Sequence, residues 1–333
     1  MKRTPHAQTV RKSKDLTPVS VDTGQADVLM SCQDEQLFAT HGTTFHFASR
    51  FFPPAIRPAV VTLYAFFRTL DDLVDERDPG WQADRVCQEL DAWQAWFEHG
   101  CQAVAPREPL GRSLAPVLAN ARIPLSLFEE FLQGLRSDLE PRAFADIQSL
   151  LRYCYQAAGT VGLAIARVLG ADSEQALRAA SQLGIAMQLT NILRDVGGDL
   201  AKGRIYLPQD ELARFGSSPA HLSHLYQARQ GPDERFRALM RYQITRARLS
   251  YAAGLHGCWL LPRNCRVPIL LAGRLYRRIL WRIEQQDYDV LRRRAATSLL
   301  TRVQEASIVF GLVALWQRGE VEGSAAVEVA DGR

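Results

Sequence analysis

Two stretches of the chain place carboxylates four residues apart. In YAFFRTLDDLVDE, residues 64–76, a helix would put Asp71 and Asp75 on one face together with Tyr64 and Arg68. The flanking positions are largely apolar, so this polar stripe must face a cavity, a partner or water. Like charges one turn apart destabilise an isolated helix by roughly 0.2–0.5 kcal/mol, and a divalent cation between them would reverse that sign. Ligands that are all oxygen favour magnesium or manganese over zinc.

A second stripe lies in GIAMQLTNILRDVGGDLAKGRIYLP, residues 184–208. Gln188, Asn191, Asp195 and Asp199 again share one helix face, between apolar positions. Gly197-Gly198 costs a helix roughly 1 kcal/mol per glycine relative to alanine, which suggests a close approach by ligand or backbone, or a loosened helix end. Three side chains that could reach anionic oxygens follow: Lys202, Arg204 and Tyr206. One such stripe recurs by chance, whereas two in apolar helices predict a shared site.

Helical periodicity dominates residues 32–317, and alternating strand patterns are missing, so the sequence predicts an all-α protein. Proline and glycine divide the chain into helix-sized segments. The main breaks fall at Pro53-Pro54, Pro58, Asp78-Pro79-Gly80, Pro106, Pro124, Pro141, Gly170, Pro208, Gly231-Pro232 and Pro262. Without repeats or internal linkers, we expect one domain at residues 34–317, with a disordered basic tail at 1–33 and a flexible tail at 318–333.

Composition narrows the class of protein. The 333 residues are 47% hydrophobic and 23% charged, as in a globular protein with a core. A net charge of +4 without a basic arm argues against nucleic acid and suits an anionic substrate or membrane surface. Six cysteines without a CxxC pair favour a reduced, cytoplasmic protein. The apolar run from Ser307 to Trp316 is shorter than the roughly 20 residues that span a bilayer, so no spanning segment is predicted.

Three stretches resemble the signature blocks of the squalene/phytoene synthase family. They are FFPPAIRPAVVTLYAFFRTLDDLVDE, LRYCYQAAGTVGLAIARVLG and GIAMQLTNILRDVGGDLAKGRIYLPQDELARFG, and the resemblance covers residues 41–294 in order. It implies an all-α isoprenoid-synthase helical bundle around a central cavity, with aspartate motifs on opposite walls. It also implies that magnesium ions, or manganese as an alternative, bridge the diphosphate of a prenyl substrate.

The resemblance assigns roles by position. It implies that metal ions are bound by Asp71, Asp75, Asn191, Asp195 and Asp199, with Asp72 pointing elsewhere. It implies diphosphate contacts from Arg68, Arg204 and Arg293, and a reaction zone lined by Tyr64, Tyr153, Gln188 and Tyr276. Tyr153 could instead simply pack, and Arg293 belongs to a run of three arginines that could be a solvated face. Gly198 stands where the family often has an acidic residue, and Asp195 and Asp199 remain beside it.

The same resemblance suggests a product. Ser49 and Val61 take positions flanking the tail cavity where relatives that use C15 substrates tend to carry bulky aromatics. Small side chains there would leave room for a C20 tail, which favours 15-cis-phytoene synthesis from two geranylgeranyl diphosphates. We also expect peripheral membrane contact, because substrate and product are greasy, and contact with downstream carotenoid enzymes.

Three other interpretations remain open. The chain could make squalene, dehydrosqualene or hydroxysqualene from farnesyl diphosphate. It could be a non-catalytic assembly factor with the same fold, although a retired site would tend to lose its carboxylates. It could be a membrane-surface scaffold that uses the arginines of residues 274–294 and the run at 307–316, although a scaffold has no use for two carboxylate stripes.

Overall fold

The computed structural model describes residues 43–75, 83–139 and 143–318, which form helices and contain no strand. Within the described residues, seven α-helices precede residue 170: α1 (Thr43–Ser49), α2 (Arg57–Asp75), α3 (Ala83–Glu98), α4 (Glu108–Asn120), α5 (Ser126–Ser137), α6 (Ile147–Cys154) and α7 (Thr160–Val168). Six more follow in the part of the chain up to residue 318: α8 (Glu174–Ala201), α9 (Gln209–Arg214), α10 (Pro219–Gln227), α11 (Glu234–His256), α12 (Arg266–Gln285) and α13 (Leu299–Gln317). The predicted all-α class is confirmed. The predicted tails, except Arg318, and the breaks at 78–80 and Pro141 lie outside the described residues.

Side-chain caps begin several of the helices. Asp146 accepts from the backbone N–H of Ser149 at the start of α6, and Asp233 accepts from that of Phe236 at the start of α11. Ser173 does the same for α8. Each cap satisfies a backbone donor that the first helical turn leaves unpaired. Apart from Pro58, which lies in the first turn of α2, the predicted breaks within the described residues fall between helices, and Gly170 adopts a φ of +81° that favours glycine.

Two hydrophobic clusters hold the helices together. Helices α2 to α5 enclose an aromatic cluster in which Phe66 meets Trp93, Phe97 and Phe128 with ring centroids 5.2–5.8 Å apart. A second cluster, mainly aliphatic, surrounds α8, α11 and α12. Burial of apolar surface in these clusters contributes roughly 25 cal/mol per Å² and fixes the helices that carry the two polar stripes.

A π-helical turn, Tyr155–Gly159, joins α6 to α7 without an intervening loop. Two residues of this turn, Ala157 and Ala158, line the interior cavity described below. Turns of this type occur mostly as single insertions at functional sites. The sequence pattern did not predict this π-turn, because a π-turn has no characteristic residue spacing.

The C-terminal apolar helix is longer than the apolar run from Ser307 to Trp316 that the sequence shows. Helix α13 begins eight residues before Ser307 and has 19 residues. By length and composition alone it is apolar enough to cross a bilayer, which corrects the expectation that no segment qualifies. It packs against α12 along one side, through Ala306, Val309 and Val313.

Candidate active site

A cavity runs between the two clusters and has two joined parts. A tunnel with about 1420 Å³ of empty space, part of it open to solvent, is lined mostly by apolar side chains. A polar mouth opens from it and is lined mostly by charged side chains. The residues that line both parts are Arg68, Asp71, Asp138, Tyr153, Gln188 and Asn191. A molecule with a charged head and a long apolar tail fits such a cavity.

Helices α2 and α8 form facing walls of the mouth. Asp71 and Asp75 come from α2, and Asn191, Asp195 and Asp199 come from α8. The structure therefore brings together the two stripes that the sequence predicts to share a site. Asp72 points away from this lining and pairs with Arg68.

Glycine permits one contact that shapes the second wall. A Cβ at Gly197 would collide with the backbone carbonyl of Leu291, and the Gly197 N–H donates to the carbonyl of Val290 at 3.2 Å. The close backbone approach expected from Gly197-Gly198 is thus present at the first glycine. Gly198 faces open space at the mouth, and α8 continues without a break to Ala201.

Arg204 links the two walls. Its backbone N–H donates to the carbonyl of Asp199 at 2.8 Å, and its Nη1 donates to Asp75 Oδ1 at 2.5 Å. Its Nη2 donates to the carbonyl of Asp138 at 3.2 Å, and Lys202 Nζ lies 3.9 Å from Asp75. Cationic side chains thus sit against the carboxylates of α2, at the place where a bound anion would compete for them.

Asp195 has two arginine partners. Arg194 donates to it through Nε at 3.0 Å and Nη2 at 2.5 Å, and Arg294 donates through Nε at 2.7 Å and Nη2 at 3.1 Å. Burial opposes ionisation of this carboxyl, but the two arginines outweigh it and lower its pKa below the ordinary value. Asp195 is therefore ionised at neutral pH.

Two other carboxyls of the mouth, those of Asp71 and Asp199, have raised rather than lowered pKa values. Burial, and next the charge of Asp75, raise the pKa of Asp71 to about 7, although 47% of its side chain is accessible from the cavity. Burial and the charge of Asp195 raise the pKa of Asp199 to about 7. Carboxylates are therefore crowded locally around Asp71 and around Asp199, a repulsion that a bound cation would relieve.

Asn191 supplies a second observation that fits a cation. Its Nδ2 donates to Gln188 Oε1 at 3.3 Å, while its buried Oδ1 accepts from no group among the described residues. The same residues contain no cluster of three or more His, Cys, Asp or Glu side chains close enough to hold a metal ion by themselves. Magnesium is commonly bound by one or two carboxylates plus substrate phosphates, so the donors present fit an ion shared with a diphosphate.

Tyr153 is held by a carboxylate at the boundary between mouth and tunnel. Its hydroxyl donates to Asp138 Oδ2 at 2.8 Å, and the hydroxyl of Tyr206 donates to Asp138 Oδ1 at 3.0 Å. Burial, and next the charge of Asp138, raise the pKa of Tyr153 well above its ordinary value. The phenol therefore stays protonated and oriented.

The remaining predicted residues fall into two groups. Tyr64 and Tyr276 line the tunnel, where Tyr64 stacks on Phe45 with centroids 5.9 Å apart, and burial raises the pKa of Tyr64. Arg293 lines the mouth, but Arg294 is the neighbour that contacts Asp195.

The expectation that Ser49 and Val61 flank the tail cavity is wrong. Both side chains are fully buried, neither belongs to the cavity lining, and Ser49 Oγ donates to the carbonyl of His46 at 2.8 Å. The space expected beside them lies instead along α7 and α8.

Sequence reasoning missed three residues of the mouth, Asp138, Arg194 and Arg294, and one residue of the tunnel, Phe45. Asp138 follows α5, outside the two stripes, and a lone aspartate there carries no spacing signal. Arg194 and Arg294 each adjoin a predicted residue in sequence, yet only the folded chain shows that both contact Asp195.

Comparison with known proteins gives a consistent result. A family model described as squalene/phytoene synthase matches residues 38–301. The 15-cis-phytoene synthase of Synechococcus elongatus is 37% identical over 273 residues, which cover 78% of this chain and 85% of that protein. The phytoene synthase of Arthrospira platensis is 38% identical over 274 residues with the same coverage. A chloroplastic phytoene synthase from an Oncidium hybrid cultivar is 34% identical over 90% of this chain and 72% of its own length.

Solved structures show the same fold. A dehydrosqualene synthase in complex with ligand superposes with a TM-score of 0.75 and 28% identity, covering 85% of this chain and 95% of that one. A squalene synthase from Alicyclobacillus acidocaldarius superposes with a TM-score of 0.65 and 25% identity, covering 77% and 94%.

Proposed function

The chain belongs to the squalene/phytoene synthase family, and we propose on that premise that it condenses two geranylgeranyl diphosphates to 15-cis-phytoene, in carotenoid biosynthesis. The enzyme is a prenyl transferase. The observation that carries the proposal is the continuous cavity in which a carboxylate-lined mouth opens into an apolar tunnel.

The length of the tunnel favours a C20 substrate. Asn191 and Ala176 both lie on α8 and both line the tunnel, and fifteen residues of helix between them span about 22 Å. An extended chain advances by about 1.25 Å per bond, so a geranylgeranyl backbone spans about 19 Å and a farnesyl backbone about 14 Å. Small residues line much of this length, among them Ala157, Ala158, Gly162, Ala180 and Gly184.

Two ionisations are required. In the first, the C1–O bond of one substrate breaks, diphosphate leaves with the electron pair, and the C2–C3 double bond of the second substrate attacks C1. Loss of a proton gives the cyclopropylcarbinyl (prephytoene) diphosphate. In the second, that diphosphate leaves, the carbocation rearranges, and loss of another proton forms the central double bond of phytoene.

The side chains of the mouth would stabilise the departing diphosphate. Arg204, Lys202, Arg68 and Arg293 would exchange their present surroundings for phosphate oxygens, where charge grows in the transition state. Magnesium, with manganese as an alternative, would be held by Asp71 and Asp75 on one wall and by Asn191, Asp195 and Asp199 on the other. When bound, the metal would supply Lewis-acid stabilisation of the diphosphate.

The tunnel walls would protect the carbocation. Tyr64, Tyr276 and Phe45 present aromatic surface, and rings of this kind attract cations through their faces. Tyr153 stays protonated at the boundary, where Asp138 orients its hydroxyl. Exclusion of water from this region would prevent capture of the cation as an alcohol.

A second candidate is the C15 reaction that gives dehydrosqualene, squalene or hydroxysqualene, because the superposed dehydrosqualene and squalene synthases share the fold. Incubation of the purified protein with magnesium and either C15 or C20 diphosphate, with and without NADPH, distinguishes the two. We expect a C40 hydrocarbon from the C20 substrate without need of NADPH. A C30 product only, or no product from either substrate, would contradict the proposal.

We further propose a cytoplasmic enzyme in peripheral contact with a membrane, from which downstream carotenoid enzymes would collect the product. A C40 hydrocarbon has no polar group, so a lipid phase is the medium in which it can leave.

A further inference from the structure

Helix α13 turns its acidic residue inward and apolar residues outward. Glu305 is buried against α12, where Arg274 Nε donates to Glu305 Oε2 at 2.7 Å. Leu299, Leu300 and Val303 are 68%, 68% and 51% exposed. A helix on a water-facing surface has the opposite arrangement, with its charges outward.

The outward face of α13 is also free of charge over its length. The exposed residues from 303 to 317 contain no ionisable side chain and are Val303, Gln304, Ser307, Ile308, Phe310, Gly311, Ala314, Leu315 and Gln317. A contiguous apolar face of this size marks an interaction site.

Arginine and tryptophan flank this face at both ends. Arg278 and Arg282 lie over the exposed ring of Trp281, each 5.9 Å from its centroid. At the other end, the exposed Arg263 lies 5.7 Å from the ring centroid of Trp316. Tryptophan and arginine with apolar bodies and polar ends concentrate at the boundary between lipid headgroups and acyl chains.

Ion pairing joins the first of these flanks to α13. Arg278 Nε donates to Glu305 Oε1 at 2.5 Å, so the flank around Trp281 is linked directly to the helix. Crossing a bilayer would carry this buried ion-pair network into hydrocarbon, at high cost. Only 17% of the most apolar stretch of α13 is buried, so the helix is not a core helix either. An apolar helix that does not span a bilayer, and that packs on the protein along one side only, can lie in the plane of an interface.

We propose that the outward face of α13, with its Arg–Trp flanks, docks the enzyme on an anionic lipid bilayer. The inference rests on the proposed function, since a C40 hydrocarbon must pass into lipid. A second copy of the chain fits less well, because a two-fold interface would bring the same uncharged face and the same arginine flanks of both copies together. Anionic headgroups complement those arginines instead.

The docking face adjoins the apolar end of the tunnel. Trp259 packs against Trp316 of α13 with centroids 5.2 Å apart, and its sequence neighbours Cys258 and Leu261 line the tunnel. On the other side, Phe310 packs edge to face on Phe51 at 5.2 Å. The face that meets lipid is therefore next to the compartment in which the hydrocarbon is made.

Flotation with vesicles tests the proposal on the full chain. We expect the protein to float with vesicles of equal parts phosphatidylcholine and phosphatidylglycerol, and less with phosphatidylcholine alone or at high salt. A triple variant with Leu299→Gln, Leu300→Gln and Val303→Gln should partition roughly tenfold more weakly. Exposed apolar residues elsewhere supply a matched control: Val104→Gln with Leu249→Gln should float like the wild type.

The outcomes separate docking from catalysis. The triple variant changes only exposed side chains, so turnover of detergent-solubilised C20 diphosphate should match the wild type, and circular dichroism checks its fold. A double variant with Leu299→Gln and Leu300→Gln serves if the triple variant unfolds. The proposal is overturned if the wild type stays off anionic vesicles, or if the triple and control variants float alike. Unchanged flotation with loss of self-association in size-exclusion chromatography would overturn it in favour of a dimer interface.

Discussion

Arg204 Nη1 donates to Asp75 Oδ1 at 2.5 Å, across the mouth that separates the loop after α8 from the end of α2. The predicted diphosphate ligand is thus paired with a predicted metal ligand. Because Arg204 is also bonded through its backbone to Asp199, it sets how far apart the two walls lie. Binding of a cation and a diphosphate would redistribute these partners, with the cation taking Asp75 and the anion taking Arg204.

Replacing Arg204 tests this exchange. Arg204→Met should lower kcat/KM by roughly 10²-fold, because one cation that meets the departing diphosphate is lost. The matched control is Arg237→Met, which removes an arginine paired with Asp287 on the outer surface. Steady-state kinetics of the control should match the wild type. Wild-type kinetics for Arg204→Met would contradict the role.

The crowded carboxyls predict a dependence of stability on pH. Asp71 and Asp199 have pKa values of about 7 in the folded protein against about 3.8 for an aspartate in an unfolded chain, so the folded state binds more protons between these values. The contribution of these two carboxyls to the free energy of unfolding of the metal-free protein is therefore largest below pH 4. It falls as the pH rises to about 7.

Thermal denaturation in EDTA measures this effect. The melting temperature of a variant with Asp71→Asn and Asp199→Asn should rise relative to that of the wild type as the pH increases from 5 to 8, because amides bear no charge. Magnesium with inorganic diphosphate should remove that advantage by stabilising the wild type alone. A difference that is constant across the pH range would show that the carboxyls are not crowded.

Tyr153 and Tyr206 make matched hydrogen bonds to Asp138 but differ in position. Tyr153 lines both mouth and tunnel, whereas Tyr206 lines the mouth. Tyr153→Phe should therefore lower kcat by roughly 10²-fold, as expected for a group beside the reacting atoms. Tyr206→Phe removes the same kind of bond and should lower kcat much less. Equal losses in single-turnover assays would mean that Tyr153 only packs.

Ala180 tests the use of the tunnel. It lies eleven residues before Asn191 on α8, about 16 Å along the axis, which is enough for a farnesyl chain but short for a geranylgeranyl chain. Ala180→Phe should lower the ratio of kcat/KM for C20 over C15 diphosphate by roughly tenfold or more. Ala119→Phe, at an exposed position on α4, is the control. An unchanged ratio for Ala180→Phe would place the tail elsewhere.

Local sequence patterns predicted much of the fold and about half of the residues of the candidate site. The periodicity around Asp71 and Asn191 predicts two helices with inward polar faces, because four-residue spacing and apolar flanks depend only on the helix itself. Proline and glycine likewise mark helix ends locally. These features were confirmed in the described residues.

Long-range contacts were beyond the reach of those patterns. Asp138 joins Tyr153 and Tyr206 only because three separate segments meet, and no spacing encodes that meeting. Ser49 and Val61 were placed beside the tunnel by resemblance, yet backbone packing buries both. The outward apolar face of α13 likewise depends on Glu305 finding its partners on α12.

The most direct test of the account measures turnover of C20 diphosphate by Asp71→Asn and Asp195→Asn at saturating magnesium. One variant removes a carboxylate from α2 and the other from α8, so the two sample opposite walls of the same mouth. We expect each to lose at least roughly 10²- to 10³-fold in kcat while its circular dichroism stays that of the wild type. Wild-type turnover by either variant would contradict the claim that both helices hold a cation against the diphosphate.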